Sequence, residues 1–194
     1  MSHSHDEDPA CAAAHGHVRP EEAGRAGEAG RPGEEGRPGE EGRTLVAVFA
    51  SPVADHLLRF GVELGFRPML LEPDPDRGLG GLSAASVAVV REVGDHLDGT
   101  ADVVVTDHHR AEIGPILRDV LGSPARWIGI MGSPRHEGPH VRALTELGVP
   151  PGEIARVHRP IGLNIGSRTP PEIAVATLAG LIADRNGRPG GFAH

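Results

Sequence analysis

Four short segments gather the side chains best able to bind or move charge. The first is Ala50-Ser51-Pro52, followed about twenty residues later by Glu72. A helix opening at Pro52 would offer amide donors and a positive dipole end, and Ser51 could cap it. An acid at the position of Glu72 is where a dinucleotide fold holds a ribose. The second is Thr106-Asp107-His108-His109-Arg110. Asp107, His108 and His109 there could serve as an acid/base or metal group, although adjacent side chains tend to point apart. The third is Gly132-Ser133-Pro134-Arg135-His136. Gly132 permits close backbone approach, Ser133 can cap or bind an anion, and Arg135 can grip phosphate or carboxylate with two bonds. The fourth runs over residues 159–170. Gly162 and Gly166 frame Asn164, and Ser167, Arg168 and Thr169 surround the start of a helix that could receive an anion.

The elements that must hold these segments alternate along the chain. Leu45 to Ala50, Pro68 to Leu71, Asp102 to Thr106 and Trp127 to Met131 are short apolar runs, as expected of buried parallel strands. Helical stripes follow: Val53, Leu57, Phe60 and Leu64 in one, residues 111–121 in another, 140–147 in a third. Thr169-Pro170-Pro171-Glu172 has the pattern of a capping box with Pro at the first helical position. Residues 83–93 are ambiguous in their pattern. The expected fold over 44–194 is Rossmann-like α/β: a doubly wound, mostly parallel sheet with helices on both faces. The four segments then fall at the carboxyl ends of strands, where such sheets bind ligands. The first turn lacks the glycines that would let backbone approach a pyrophosphate.

Residues 1–43 read as a separate, disordered tail. Glycine recurs every third position from Gly24 to Gly42, within GRAGEA and GRPGEE hexapeptides. Such a stretch has little apolar surface to offset its ordering entropy. His3, His5, His15 and His17, with Cys11 between the pairs, could take a divalent metal there.

Composition excludes several classes. Net charge is −8, with −5 in residues 1–43 and −3 beyond, which does not suit nucleic-acid binding. All 19 basic residues are Arg, so no Lys can form a Schiff base or a P-loop contact. A single Cys rules out an intrachain disulfide framework. No apolar run reaches membrane-spanning length, and the amino terminus has no signal-peptide pattern, so a cytoplasmic location is expected.

The segments Trp127-Ile128-Gly129-Ile130-Met131-Gly132-Ser133, Pro160-Ile161-Gly162-Leu163-Asn164-Ile165-Gly166 and Thr169 to Val175 resemble the carboxy-terminal Rossmann domain of the xanthine dehydrogenase accessory family, XdhC/CoxI. That resemblance implies a non-catalytic accessory or maturation factor for a molybdenum hydroxylase of the xanthine or carbon monoxide dehydrogenase type. It implies binding of the molybdenum cofactor, a pterin bearing phosphate, and of the client enzyme; a homodimer is compatible with it. The sequence departs from the family at Ala50-Ser51-Pro52, where Gly-x-Gly-His is usual, and at Asn164, where many members have Asp. Two alternatives stand beside this reading: an NAD(P)-binding oxidoreductase-like protein, and a non-catalytic metal or protein-interaction module.

Overall fold

The computed structural model describes residues 42–77, 87–132 and 138–191. Among these residues six strands form one sheet: β1 (Thr44–Val48), β2 (Arg67–Leu71), β3 (Ala88–Val90), β4 (Asp102–Val105), β5 (Trp127–Ile130) and β6 (Val157–His158). Their order is β3-β2-β1-β4-β5-β6, and every pairing is parallel. The sheet is thus wholly parallel rather than mostly so, and the chain reverses its winding direction between β1 and β4.

Pleating distributes the apolar strand residues to two faces. Val46, Val48, Val103 and Val105 point to one face and pack with Ile116, Leu117 and Val120 of α2 (Ile113–Leu121) and Leu144 of α3 (Pro139–Glu146). Leu45, Ala47 and Val104 point to the other. They meet Leu57 and Leu58 of α1 (Pro52–Glu63) and Leu178 and Leu181 of α5 (Pro170–Arg185). Burying both faces explains why these strands read as unbroken apolar runs, each enclosed Val or Leu contributing about 1.5–3 kcal/mol.

Three local features depart from the sequence expectation. β1 ends at Val48 because Phe49 takes a left-handed backbone, with φ 72°. β3 emerges from the stretch whose pattern was ambiguous; its three residues are too few for a periodic signal. A one-turn helix α4 (Pro151–Ile154) and the two-residue β6 complete the far edge, both too short to show in the sequence.

At the amino end of the sheet, Asp102 is fully buried and accepts from Nε of Arg126 and Nε of Arg185, each at 2.7 Å. Arg185 also donates to the Thr100 carbonyl. This ties the last turn of α5 to the start of β4, opposite the end where the candidate segments lie.

Candidate functional site

The turn after β1 is built around Phe49. A glycine would take its positive φ without strain, whereas a bulky residue there costs about 1–3 kcal/mol. The conformation is over-determined by neighbours. The Phe49 N–H donates to the Leu71 carbonyl at 2.9 Å, and its own carbonyl accepts from the Thr106 hydroxyl at 2.8 Å. Ser51 caps α1, its Oγ accepting the Ala54 N–H at 3.0 Å, and it donates to Thr106 Oγ1 at 3.0 Å. Pro52 has no N–H, and those of Ala54 and Asp55 are already bonded. Little of this helix start remains for an anion.

Glu72 is wholly buried at the end of β2. One of its oxygens accepts from the Ala50 N–H (2.8 Å) and Arg110 Nη1 (3.2 Å). The other accepts from the Asp74 N–H (3.1 Å) and Arg110 Nη2 (3.1 Å). A carboxylate has about four lone-pair sites, so all are used. The Arg110 guanidinium lies 4.6 Å over the Phe49 ring and reaches Glu112 at 2.8 Å. The bond to Glu112, and then those to Glu72, hold Arg110 charged against its burial. The position where a dinucleotide fold binds ribose is therefore closed by an internal ion pair. Arg110 follows the His pair directly in sequence, yet nothing local marks it as the partner of an acid 38 residues away.

The open space lies on the other side of the switch point. A cavity of about 590 Å³ runs from Val53 and Thr106 past His108, Met131 and Gly132 to the 160–167 loop and α5. Its volume falls within the range of small-molecule sites. Val53, Met131, Ile161, Ile173 and Ala176 give it apolar walls, while His108, Asn164 and Ser167 give it a polar edge. Among the described residues, no carboxylate lines it.

The 160–167 loop is held by its glycines. Gly162 has φ +81°, and a Cβ there would lie 3.0 Å from the Ala176 backbone. A Cβ on Gly180 would lie 3.0 Å from Gly162 Cα. The loop thus rests directly on α5, where the Leu163 N–H donates to the Ala176 carbonyl at 3.0 Å. Gly166 also has positive φ but faces open space.

Six sequence-predicted residues meet around this cavity: His108, Gly132, Gly162, Asn164, Gly166 and Ser167. Ser51 touches it only through Thr106. Asp107 accepts the His109 N–H at 2.9 Å, a local turn, and does not line it. The rings of His108 and His109, expected to point apart, have centroids 4.0 Å from one another. Burial, then the charges of His109 and Arg159, push the His108 imidazole below its ordinary value of 6.5, against the pull of Asp107. It is neutral at pH 7, offering one donor and one acceptor. Arg168 and Thr169 do not line the cavity; their N–H groups donate to Glu172 at 2.8 and 3.1 Å. The start of α5, expected to receive an external anion, receives its own carboxylate, and these bonds lower the Glu172 pKa. Ser133, Arg135 and the amino-terminal His3, His5, His15 and His17 lie outside the described residues. Among the described residues no three His, Cys, Asp or Glu side chains cluster as a metal site, and no helix is long and apolar enough to cross a membrane.

Comparisons with known proteins bear on this arrangement. A solved chain described as a xanthine dehydrogenase from Bacillus halodurans superposes with a TM-score of 0.58 at 22% identity, over 75% of this chain and 45% of that one. At that identity the likeness shows the fold. The uncharacterized protein YqeB of Escherichia coli strain K12 is 41% identical over 76 residues, 39% of this chain and 14% of YqeB. The chain therefore spans less than half the length of either relative. The sequence model of the XdhC Rossmann domain matches residues 45–181, from β1 through most of α5 and including every strand that frames the cavity. The chain belongs to the XdhC Rossmann domain family.

Proposed function

We propose that this protein serves a molybdenum hydroxylase of the xanthine dehydrogenase type as an accessory factor, holding the pterin part of its cofactor in the cavity beside His108. The observation that carries the reading is the cavity's chemistry. A flat heteroaromatic ring fits between apolar walls, and its edge finds hydrogen bonds from a neutral imidazole, an amide and a hydroxyl, at His108, Asn164 and Ser167. An aromatic edge with mixed donors and acceptors is better matched by such groups than by charges. When bound, the group would supply the redox metal that the client enzyme uses. The residues here would orient and shield the ring. Saturation of Glu72 by Arg110 and two backbone amides supports a pterin over a dinucleotide, because the ribose-binding acid is already engaged. Family membership and the likeness to a chain described as a xanthine dehydrogenase support the choice of client.

The test is co-purification. The full chain is isolated from cells that make molybdenum cofactor, then oxidised and assayed for pterin fluorescence. Fluorescence should accompany the wild-type chain and fall at least several-fold in Asn164→Phe, which crowds the cavity from an exposed loop. Absence of pterin, together with a clear thermal shift on adding NAD, would remove the reading.

A further inference from the structure

The outer side of the layer formed by α1 and α5 is apolar where it meets solvent. From Ile173 to Ala183, α5 carries no charged residue, and Thr177 is the one polar side chain in that run. A helix apolar around its whole circumference is expected to be covered on every side. Ala174, Leu178 and Leu181 are buried beneath it, whereas Val175 is 50% exposed. Val175, Ala179 and Ile182 follow one another at i, i+4 and i+7, so they share a stripe. With Phe60 and Leu64 of α1 they line a groove of about 320 Å³, and Leu64 is itself exposed. None of these residues lines the cavity beside His108. An exposed apolar patch with a polar rim marks a site of association. The rim here is charged. Glu63 lines the groove, and the Arg59 guanidinium lies 5.3 Å over the Phe60 ring. Among the described residues neither meets an opposite charge: Arg59 Nη2 lies 2.7 Å from His56 Nδ1, and Glu63 makes no ion pair. Arg four residues ahead of Glu is the less favourable order for a pair within one helix.

We propose that this face is covered by a second copy of the chain, with α1 of each copy seated antiparallel in the α1–α5 groove of the other, about a two-fold axis level with Gly61. An apolar groove alone would take any amphipathic helix. Two opposite charges four residues apart on one helix, each without an ionic partner, are what a two-fold axis between them satisfies. Arg59 then faces Glu63 of the partner subunit, and Glu63 faces the partner's Arg59, so the contact is made twice. Size is consistent with this occupant. Helices of 12 and 16 residues packed about 10 Å apart present a face about 20 Å on a side. Covering it on both copies removes roughly 1,000 Å² in total, the lower end for a specific interface. Both helices begin at the carboxyl ends of the strands, so the antiparallel arrangement leaves the two ligand cavities open at opposite ends of the dimer. The inference does not rest on the ligand assigned to that cavity.

The experiment follows the mass of the full chain by sedimentation velocity from about 1 to 200 µM, a range set by the affinity expected of so small an interface. The wild type should pass from one chain to two, with a dissociation constant in the micromolar range. Arg59→Glu and Glu63→Arg each set like charges against one another at both contacts and should each weaken the dimer about tenfold or more. The double variant restores opposite charges and should return to within about threefold of the wild type. Val175→Glu should stay monomeric over the whole range. Arg59, Glu63 and Val175 are exposed in the single chain, so circular dichroism should show the same fold in every variant. If Val175→Glu does not fold, Val175→Ser carries the comparison with a smaller loss. A wild type that stays monomeric, a dimer indifferent to Val175, or a double variant no tighter than the single ones overturns the proposal.

Discussion

Replacing Glu72 by Gln retains its size and removes its charge, at a site where geometry sets the consequence. The carboxylate receives four N–H donors at 2.8–3.2 Å, two from Arg110 and two from backbone. A carboxamide has one acceptor oxygen, and its NH2 would face two donors in either orientation. Two hydrogen bonds are lost and a donor is set against donors. Arg110, 6% exposed at its side chain, loses its buried counter-charge and keeps only Glu112. Breaking a buried pair from one side costs about 3–5 kcal/mol, and the residual Glu112 contact favours the lower end, about 3 kcal/mol. For a domain of this size that corresponds to a melting point lower by roughly 6–12 °C. Urea and thermal unfolding of wild type, Glu72→Gln, Arg110→Met and the double variant measure it. The double variant should lose less than the sum of the singles, with a coupling of about 1–3 kcal/mol. A Glu72→Gln loss below about 0.5 kcal/mol, or strict additivity, would refute a buried, saturated carboxylate and reopen Glu72 as a ligand group.

Other expectations follow from the same contacts. Gly162→Ala combines a positive φ with a Cβ 3.0 Å from the Ala176 backbone; denaturant unfolding should show a loss of about 2–4 kcal/mol, and pterin recovery should fall as the loop lifts from α5. Asp102→Ala leaves Arg126 and Arg185 without their shared carboxylate and should cost about 3 kcal/mol by urea unfolding, with the ligand affinity of the folded fraction unchanged because Asp102 lies at the opposite end of the sheet. His108 has a folded pKa below its unfolded value of 6.5, so the unfolded chain binds more protons between the two values. Stability should therefore fall as pH drops below about 6.5 through the folded pKa, and His108→Gln should flatten that limb of the pH profile.

The alternation of strands and helices is legible along the chain, because that information is local. Unbroken runs such as residues 102–106 signal strands enclosed on both faces, and Thr169-Pro170-Pro171-Glu172 signals a helix start whose acid then occupies the anion position. The sequence also marks Gly162 and Asn164, since glycines framing a polar residue before a capped helix are visible without a fold. Tertiary structure alone decided which polar groups remain open. Glu72 looks in sequence like a ribose-binding acid, and only the folding of Arg110 onto it, from 38 residues away, closes that role. Phe49 looks like the end of a strand; contacts from Leu71 and Thr106 hold it in a backbone region that local preference disfavours. Arg159 gains its place beside Gly132 only because β6 pairs with β5. Electrostatic pairing and close backbone contact act through space at a few ångströms and are indifferent to separation along the chain, so they are set once the sheet order β3-β2-β1-β4-β5-β6 is in place.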